Sequence, residues 1–342
     1  MTEQPLRIVG APGSPYSRKL RAVLRYRRVP FAWINQGSPE CRGLPRPRVQ
    51  LLPQLILPGA DGALEARTDS TPLIRELEQL YADRSVIPDD KALAFLDALI
   101  EDYADEWLTK AMFHYRWAFA PDIANAAAIL PRWFRTNQPE SDAVAAGKMF
   151  AERQVGRLGV VGSNEATTPI IEESYKRLLE LLDAHLARSS FVLGSRPAAS
   201  DFGLFGQLTQ LVGFDPTPAA IAHERAPRVV AWVEVTEDLS GLELEEREWT
   251  ARDAVPDTLR ALLAEIGRIY VPFLLANADA LERGAELVEC TSAGRPWTQR
   301  PFAYQGKCLR RLREGYSALA ADDRAAVDRL LAGTDCERLF SR

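Results

Sequence analysis

Apolar and polar positions divide the chain into two unlike parts. Near the N-terminus the pattern changes repeatedly. Leu6-Arg7-Ile8-Val9 reads as a strand, and Leu20, Val23 and Leu24 follow at the spacing of one helix face. Residues 29–34 form a second strand, rich in aromatic and β-branched side chains. Strand, helix and strand within about thirty residues make a parallel unit. Residues 35–50, rich in Pro, Gly and Arg, read as irregular with room for one short helix. A third strand begins in Leu51-Leu52-Pro53-Gln54-Leu55-Ile56-Leu57. Asp61-Gly62 is a hairpin turn, and Ala63-Leu64-Glu65-Ala66 returns. Asp69-Ser70-Thr71-Pro72 then opens a helix with Leu73, Ile74, Leu77, Leu80 and Tyr81 at helical period.

From residue 91 to about 250 no strand pattern recurs. Residues 91–118 predict one long helix, and further helices are expected at 141–157 and 169–186. The acidic stretch 237–248 reads as solvated. After it come a helix at 258–276, a small hairpin within 286–304, and two helices at 307–319 and 322–331, with Gly333 as C-cap. The expected division is an α/β domain over 1–82, a linker over 83–91, an all-helical domain over 92–250 and a helical extension over 251–342.

Composition narrows the function classes. A hydrophobic share of 46% and a charged share of 26% are those of an ordinary globular protein. The net charge of −5 gives no reason to expect nucleic acid as a partner. No apolar run approaches the roughly 20 residues that span a bilayer. The polar start, Met1 to Pro5, is not that of a signal peptide. Cys41, Cys290, Cys308 and Cys336 are scattered, without a Cys-x-x-Cys pair, which favours a reducing cytoplasm. His114, His185 and His223 lack metal-ligand spacing, so no metal is expected. Between Arg18 and Arg48 stand nine basic residues and one acid, Glu40. They read as a mostly solvated face, some of which could steer an anion.

The most informative stretch is Gly13-Ser14-Pro15-Tyr16-Ser17. Pro15 suits the first turn of a helix, where an amide hydrogen has no partner. Ser14 therefore stands where free N–H groups and the positive end of the helix dipole collect, a place that stabilises an anion. The plain reading of Ser14 is an N-cap; the chemical one is a hydroxyl that donates to a thiolate. The same two readings apply to Asp69-Ser70. Pro53 before a strand is commonplace and trans by default, and the alternative is a cis bond that turns Leu52 toward a pocket. Trp107, Phe113, His114, Tyr115 and Trp117 cluster on the long helix, either as core or as the wall of an apolar pocket. His114 reads as a hydrogen-bonded structural residue.

Three of these stretches together resemble the glutathione S-transferase superfamily. Ser14-Pro15-Tyr16-Ser17 stands where members carry Cys-Pro-Tyr-Cys, Cys-Pro-Phe-Ala or a serine variant. Leu52-Pro53 matches the family's cis-proline, and Asp69-Ser70 matches its acidic-Ser pair. Gly194 to Asp201 resembles the family's Gly-x-x-Pro-(Ser/Thr)-x-Ala-Asp segment, with Ala198 in the usual hydroxyl cap position. Pro227 to Trp232 resembles its Pro-x-(Val/Leu)-x-x-Trp helix. The likeness runs over about residues 5–240 and leaves the last hundred unaccounted for.

The resemblance implies a thioredoxin-like α/β domain followed by an all-helical domain, and a homodimer. It implies glutathione as co-substrate, lying along Leu52 and Pro53, with its γ-glutamyl end at Asp69 and Ser70. The sulfur would rest at Ser14, with Tyr16 as the alternative donor. A hydrophobic electrophile would meet it from a pocket formed by Trp107, Phe113, His114 and Trp117. A free thiol titrates near ~8.5, and lowering that by two units takes about 2.7 kcal/mol. One charge-assisted hydrogen bond contributes roughly 1.5–3 kcal/mol, so a hydroxyl at a helix terminus suffices. A serine cannot form the mixed disulfide that a cysteine would, which favours conjugation or isomerisation. The rival expectation is a non-catalytic scaffold of the same fold that binds a protein or a hydrophobic ligand. The reach of the extension is open: over the pocket, into an assembly, or along the helical core.

Overall fold

A computed structural model of the chain describes residues 5–340. Residues 1–4, which carry most of the polar start, and the last two residues lie outside the described part. The first unit runs β1 (Leu6–Gly10), α1 (Pro15–Tyr26), β2 (Phe31–Asn35), β3 (Gln54–Pro58), β4 (Leu64–Thr68) and α2 (Ser70–Leu80). The strand order is β2-β1-β3-β4. β1 and β2 are parallel, and β3 is antiparallel to both its neighbours. This is the thioredoxin-like sheet that the βαβ then ββα order predicts. Ile8 and Leu55 from the sheet bury with Leu20, Val23 and Leu24 of α1 and with Leu73, Ile74 and Leu77 of α2. β3 starts at Gln54, three residues later than the apolar run. Pro53 has no N–H to give a ladder, and the Leu52–Pro53 peptide is cis.

The remainder is helical. The apolar run over 91–118 folds as α3 (Lys91–Tyr103) and α4 (Thr109–Ala118), joined by a single π turn, Ala104–Leu108. Then come α5 (Ala120–Phe134), α6 (Glu140–Val155), α7 (Thr168–Leu186), α8 (Ala199–Leu211), α9 (Pro216–Arg225) and α10 (Pro227–Thr236). Two of these lay hidden in the sequence. α5 carries Ile123, Leu130 and Trp133 on one face but holds Pro131, ordinarily a helix breaker, in its interior, and α9 carries Pro216 and Pro218 in its first turn. A proline there forfeits no helical hydrogen bond. α8 starts without a hydroxyl at Ala198. Asp201 serves instead, accepting from the Ala198 N–H at 2.9 Å and the Val192 N–H at 2.8 Å.

The extension comprises α11 (Asp257–Arg283), a hairpin of β5 (Val288–Ser292) and β6 (Arg295–Gln299), α12 (Ala303–Ser317) and α13 (Ala321–Leu331). It shares the core of the helical part. Trp107 packs on Trp297 with ring centroids 5.0 Å apart, on Phe273 at 6.1 Å and on Tyr270 at 6.4 Å. Phe95 meets Tyr316 and Phe340 edge-on. All four cysteines are free, including Cys290 and Cys308. Among the described residues no helix is long and apolar enough to cross a membrane.

The basic run beginning at Arg18 is largely not a solvated face. Lys19 is buried between Glu101, at 2.7 Å, and Asp105, at 2.5 Å. Arg18, Arg21 and Arg25 converge on Glu237, and Arg28 pairs with Glu243. The acidic stretch 237–248, which also read as solvated, is thus partly the counter-charge of α1. Two segments more than two hundred residues apart match in sign, and no local pattern announces that.

Candidate functional site

Two adjoining cavities lie where the α/β unit faces the helices. One, of about 520 Å³, is lined by Ser14, Tyr16 and Leu52 from the first unit and by Phe113, Trp117, Trp133 and Phe150 from the helices. The other, of about 410 Å³, is lined by Tyr16, Leu52, Asp69 and Ser70, by Glu106, Thr109 and Lys110, and by Phe302, Tyr304 and Gln305 of the extension. Tyr16, Leu51, Leu52, Thr109 and Arg157 border both. Six residues predicted from two short motifs and one proline therefore meet at one place. Ser14, Tyr16 and Leu52 border the first cavity; Leu52, Asp69 and Ser70 border the second. Pro53 is buried just beneath.

Ser14 caps α1. Its backbone is extended, and its Oγ accepts the N–H of Ser17 at 3.2 Å. Accepting leaves the hydroxyl proton free to be donated. The Tyr16 N–H, at the second position of the helix, has no intrahelical acceptor. The Pro12-Gly13 loop ahead of Ser14 is fixed from the helical part. Arg116 donates to Gly13 O at 3.2 Å, and Gln210 donates to Pro12 O at the same distance. Arg116 is itself buried and forked onto Asp215, at 2.9 and 3.0 Å. Burial pushes the Asp215 carboxyl up to about 6, against the pull of Arg116.

The Tyr16 hydroxyl is directed elsewhere. It donates to the carbonyl of Asp105, at 2.8 Å, in the π turn. Burial above all, with the nearby Glu106 and Asp105 carboxylates, raises its pKa well above the ordinary tyrosine value. Its proton is held on that carbonyl.

Asp69 stands at the head of α2 with φ 81°, in the left-handed region that non-glycine residues seldom adopt. Its carboxylate makes no bond to its own helix. The first-turn N–H groups of Ser70 and Thr71 consequently remain open to an anion. The carboxylate turns instead to the extension, where Tyr304 donates to Oδ2 at 2.6 Å and Arg311 lies 3.8 Å away. Beside it the second cavity carries Glu106, whose carboxyl is raised to about 8 by burial and by Asp102 and Asp105. Lys110, one turn on, is lowered to about 7 by burial, although Glu106 works the other way.

The four aromatic positions expected to form an apolar pocket part company. Phe113 and Trp117 line the first cavity. Trp107 lies in the core and donates to Ser174 Oγ at 3.1 Å. His114 is buried on the far face of α4, with Nδ1 at 2.8 Å from Ser163 Oγ. Its pKa is lowered by burial. Within α4 the helical period explains the split, since 113 and 117 share a face that 114 does not, and Trp107 belongs to the π turn before it. Sequence reasoning missed Trp133, Phe150, Arg157 and the three extension residues. Trp133 follows Pro131, which disguises α5, Phe150 lies on α6, which carries no strong apolar stripe, and Tyr304 belongs to a segment without a counterpart in the resemblance.

Among the described residues no group of three or more His, Cys, Asp or Glu is arranged to hold a metal ion. What the arrangement can do follows from its parts. The start of α1 holds a hydroxyl free to donate, the start of α2 offers open amides, and the apolar cavity beside Ser14 adjoins the cavity at α2.

Comparison with known proteins gives the family. No curated protein matches the chain. Among solved structures, a glutathione S-transferase-like protein from Pseudomonas syringae is 18% identical, with 68% of this chain and 66% of that one covered and a TM-score of 0.39. A glutathione S-transferase from Methylobacterium radiotolerans, in complex with glutathione sulfonate, is 18% identical over 68% of this chain and 91% of its own, with a TM-score of 0.41. A glutathione transferase family member from Pseudomonas fluorescens, with two glutathione bound, is 16% identical over 70% and 94%, with a TM-score of 0.41. The family model for the glutathione S-transferase N-terminal domain matches residues 8–85, and that for the C-terminal domain matches residues 142–234. Between them the two models span half of the chain, and the protein belongs to the glutathione S-transferase superfamily.

Proposed function

We propose that the chain is a glutathione transferase that stabilises the glutathione thiolate at Ser14 for attack on a hydrophobic electrophile. The observation that carries this reading is the convergence of Ser14, Leu52 and Ser70, from three separate elements, on two cavities that meet at Tyr16. The tripeptide would lie along Leu52 and Pro53, its γ-glutamyl carboxylate on the open amides of α2 and its ammonium at Asp69. The sulfur would accept a hydrogen bond from the Ser14 hydroxyl and lie at the positive end of the α1 dipole. Tyr16, whose hydroxyl is committed to Asp105, would serve as a wall rather than as the donor. Phe113 and Trp117, joined by Trp133 and Phe150, would form the electrophile chamber. A cytoplasmic homodimer is the setting this reading implies.

The non-catalytic alternative makes a different prediction for one experiment. The wild-type protein is passed over immobilised glutathione, and the retained fraction is assayed for thiol consumption against a panel of aromatic halides and activated alkenes. Retention with turnover supports the transferase. Retention without turnover on any electrophile class favours a binding protein, and a folded protein that is not retained sinks the glutathione reading.

A further inference from the structure

The extension does more than pack against the helices, because it reaches the head of α2. Tyr304, on the first turn of α12, donates its hydroxyl to Asp69 Oδ2 at 2.6 Å across 235 positions of sequence. Asp69 has no cap bond to its own helix, and its Oδ1 has no hydrogen-bond partner among the described residues. Its backbone is held at φ 81°, a conformation that needs support from its surroundings. Tyr304 and its neighbours Phe302 and Gln305 stand on the wall of the second cavity, facing Leu52 and Ser70, and leave it open. α12 is itself fixed. The Phe302 N–H donates to Asn277 Oδ1 at 2.8 Å, and Asn277 Nδ2 donates to Phe302 O at 3.1 Å, so the segment is tied to α11 just before Tyr304.

We infer that Tyr304 is a positioning residue of the ligand site: by holding Oδ2 of Asp69 it presents Oδ1 to a cationic group of the ligand. This rests on the glutathione reading, in which that group is the γ-glutamyl ammonium. A carboxylate on an unconstrained N-cap rotates and turns back onto its own first-turn amides. With one oxygen held, that self-capping is excluded. The amides stay free for the ligand's carboxylate and the second oxygen stays free for its ammonium. Recognition of a zwitterionic amino-acid head by α2 would thus be completed by the last hundred residues of the chain.

The test is equilibrium binding by calorimetry of two ligands, glutathione and its deaminated analogue with a glutaryl group in place of γ-glutamyl. They are titrated into the wild-type protein, Tyr304→Phe, Asp69→Asn and the double variant. The expected result is that Tyr304→Phe weakens glutathione about tenfold and the analogue less than twofold. The double variant should bind glutathione no more weakly than Asp69→Asn alone, because Tyr304 acts through Asp69. Equal losses for both ligands, no loss, tighter glutathione in Tyr304→Phe, or additive losses in the double variant would each overturn the inference while leaving the glutathione site in place. A wild-type protein that binds neither ligand would instead remove the underlying reading. Phe at 304 keeps the ring, and the melting temperature of each variant separates a folding defect from a binding one.

Discussion

In the proposed reaction Ser14 donates one hydrogen bond and does little else. Its Oγ already accepts from Ser17, and that bond sets the direction in which its hydroxyl can donate. Replacing it by alanine should lower turnover with a reactive electrophile by about 10²-fold, the scale of losing one stabilising donor, with glutathione affinity nearly unchanged. Steady-state kinetics at saturating glutathione check this, and unchanged turnover would move the work to the Tyr16 N–H. At this scale the sequence was most legible. Ser14, Leu52 and Ser70 lie in stretches whose turn and cap chemistry is local, so their types and spacing carry the signal. His114 and Trp107 show the opposite case. An aromatic cluster on one helix does not say which members face inward until the neighbouring elements are in place. Glu106 gives a second prediction. Its carboxyl is raised to about 8 in the folded protein, while an unfolded glutamate titrates near ~4.3. Between those values the folded state holds the proton and the unfolded state has lost it, so stability falls as pH rises through that window. Urea unfolding of Glu106→Gln should therefore show a gain over wild type at pH 8.5 that is absent at pH 4.5, of more than ~1 kcal/mol, since one unit of displacement is worth about 1.4 kcal/mol. An equal offset at both pH values would contradict the assignment.

Between elements, the contact of α1 with α8 sets where Ser14 sits. Gly206 makes this approach possible. A Cβ there would stand 2.6 Å from the Pro15 carbonyl oxygen and 3.1 Å from Lys19 Cβ. Gly206→Ala should cost about 1–3 kcal/mol in stability, the usual range for overpacking, and should also reduce turnover, because the backbone that must move is the helix start beside Ser14. Thermal unfolding and kcat measured together test the link, and a stability loss with full activity would break it. Lys19 lies at the same junction. Its ammonium, buried at 2.7 Å from Glu101 and 2.5 Å from Asp105, holds its proton more tightly than a free lysine; burial opposes that, and the two carboxylates outweigh it. Lys19→Met should cost about 3–5 kcal/mol, the range for stranding a buried charge. In the sequence this lysine is one of nine basic residues in a run, and only the fold separates it, fully buried, from neighbours that pair nearer the surface. α9 is illegible for another reason: its alanines and prolines give it no hydrophobic stripe, so its place rests on packing against α5, α7 and α10.

For the molecule as a whole, the extension is the feature that most distinguishes the fold. The stretch after residue 250 has helical and hairpin patterns that are readable one by one. Their docking is not, because Trp297 finds Trp107 and Phe340 finds Phe95 only across long sequence separations. Ile266, Ile269, Tyr270 and Phe273 of α11 are fully buried. A chain ending before Asp257 should therefore lose cooperative unfolding and aggregate rather than persist as a smaller active enzyme. Calorimetry of the truncated chain checks that, and a sharp transition with retained glutathione binding would contradict it. The extension also supplies Phe302, Tyr304 and Gln305 to the second cavity, so its loss and the loss of the site are expected together. The proposed function requires a sulfur anion held at the start of α1. The most direct measurement is the ultraviolet titration of the thiolate of bound glutathione in the wild-type protein and in Ser14→Ala. The account predicts a wild-type thiol pKa about two units below the free value of ~8.5, and a return to within about half a unit of it in the variant. A bound thiol that titrates like free glutathione in the wild-type protein would contradict the account.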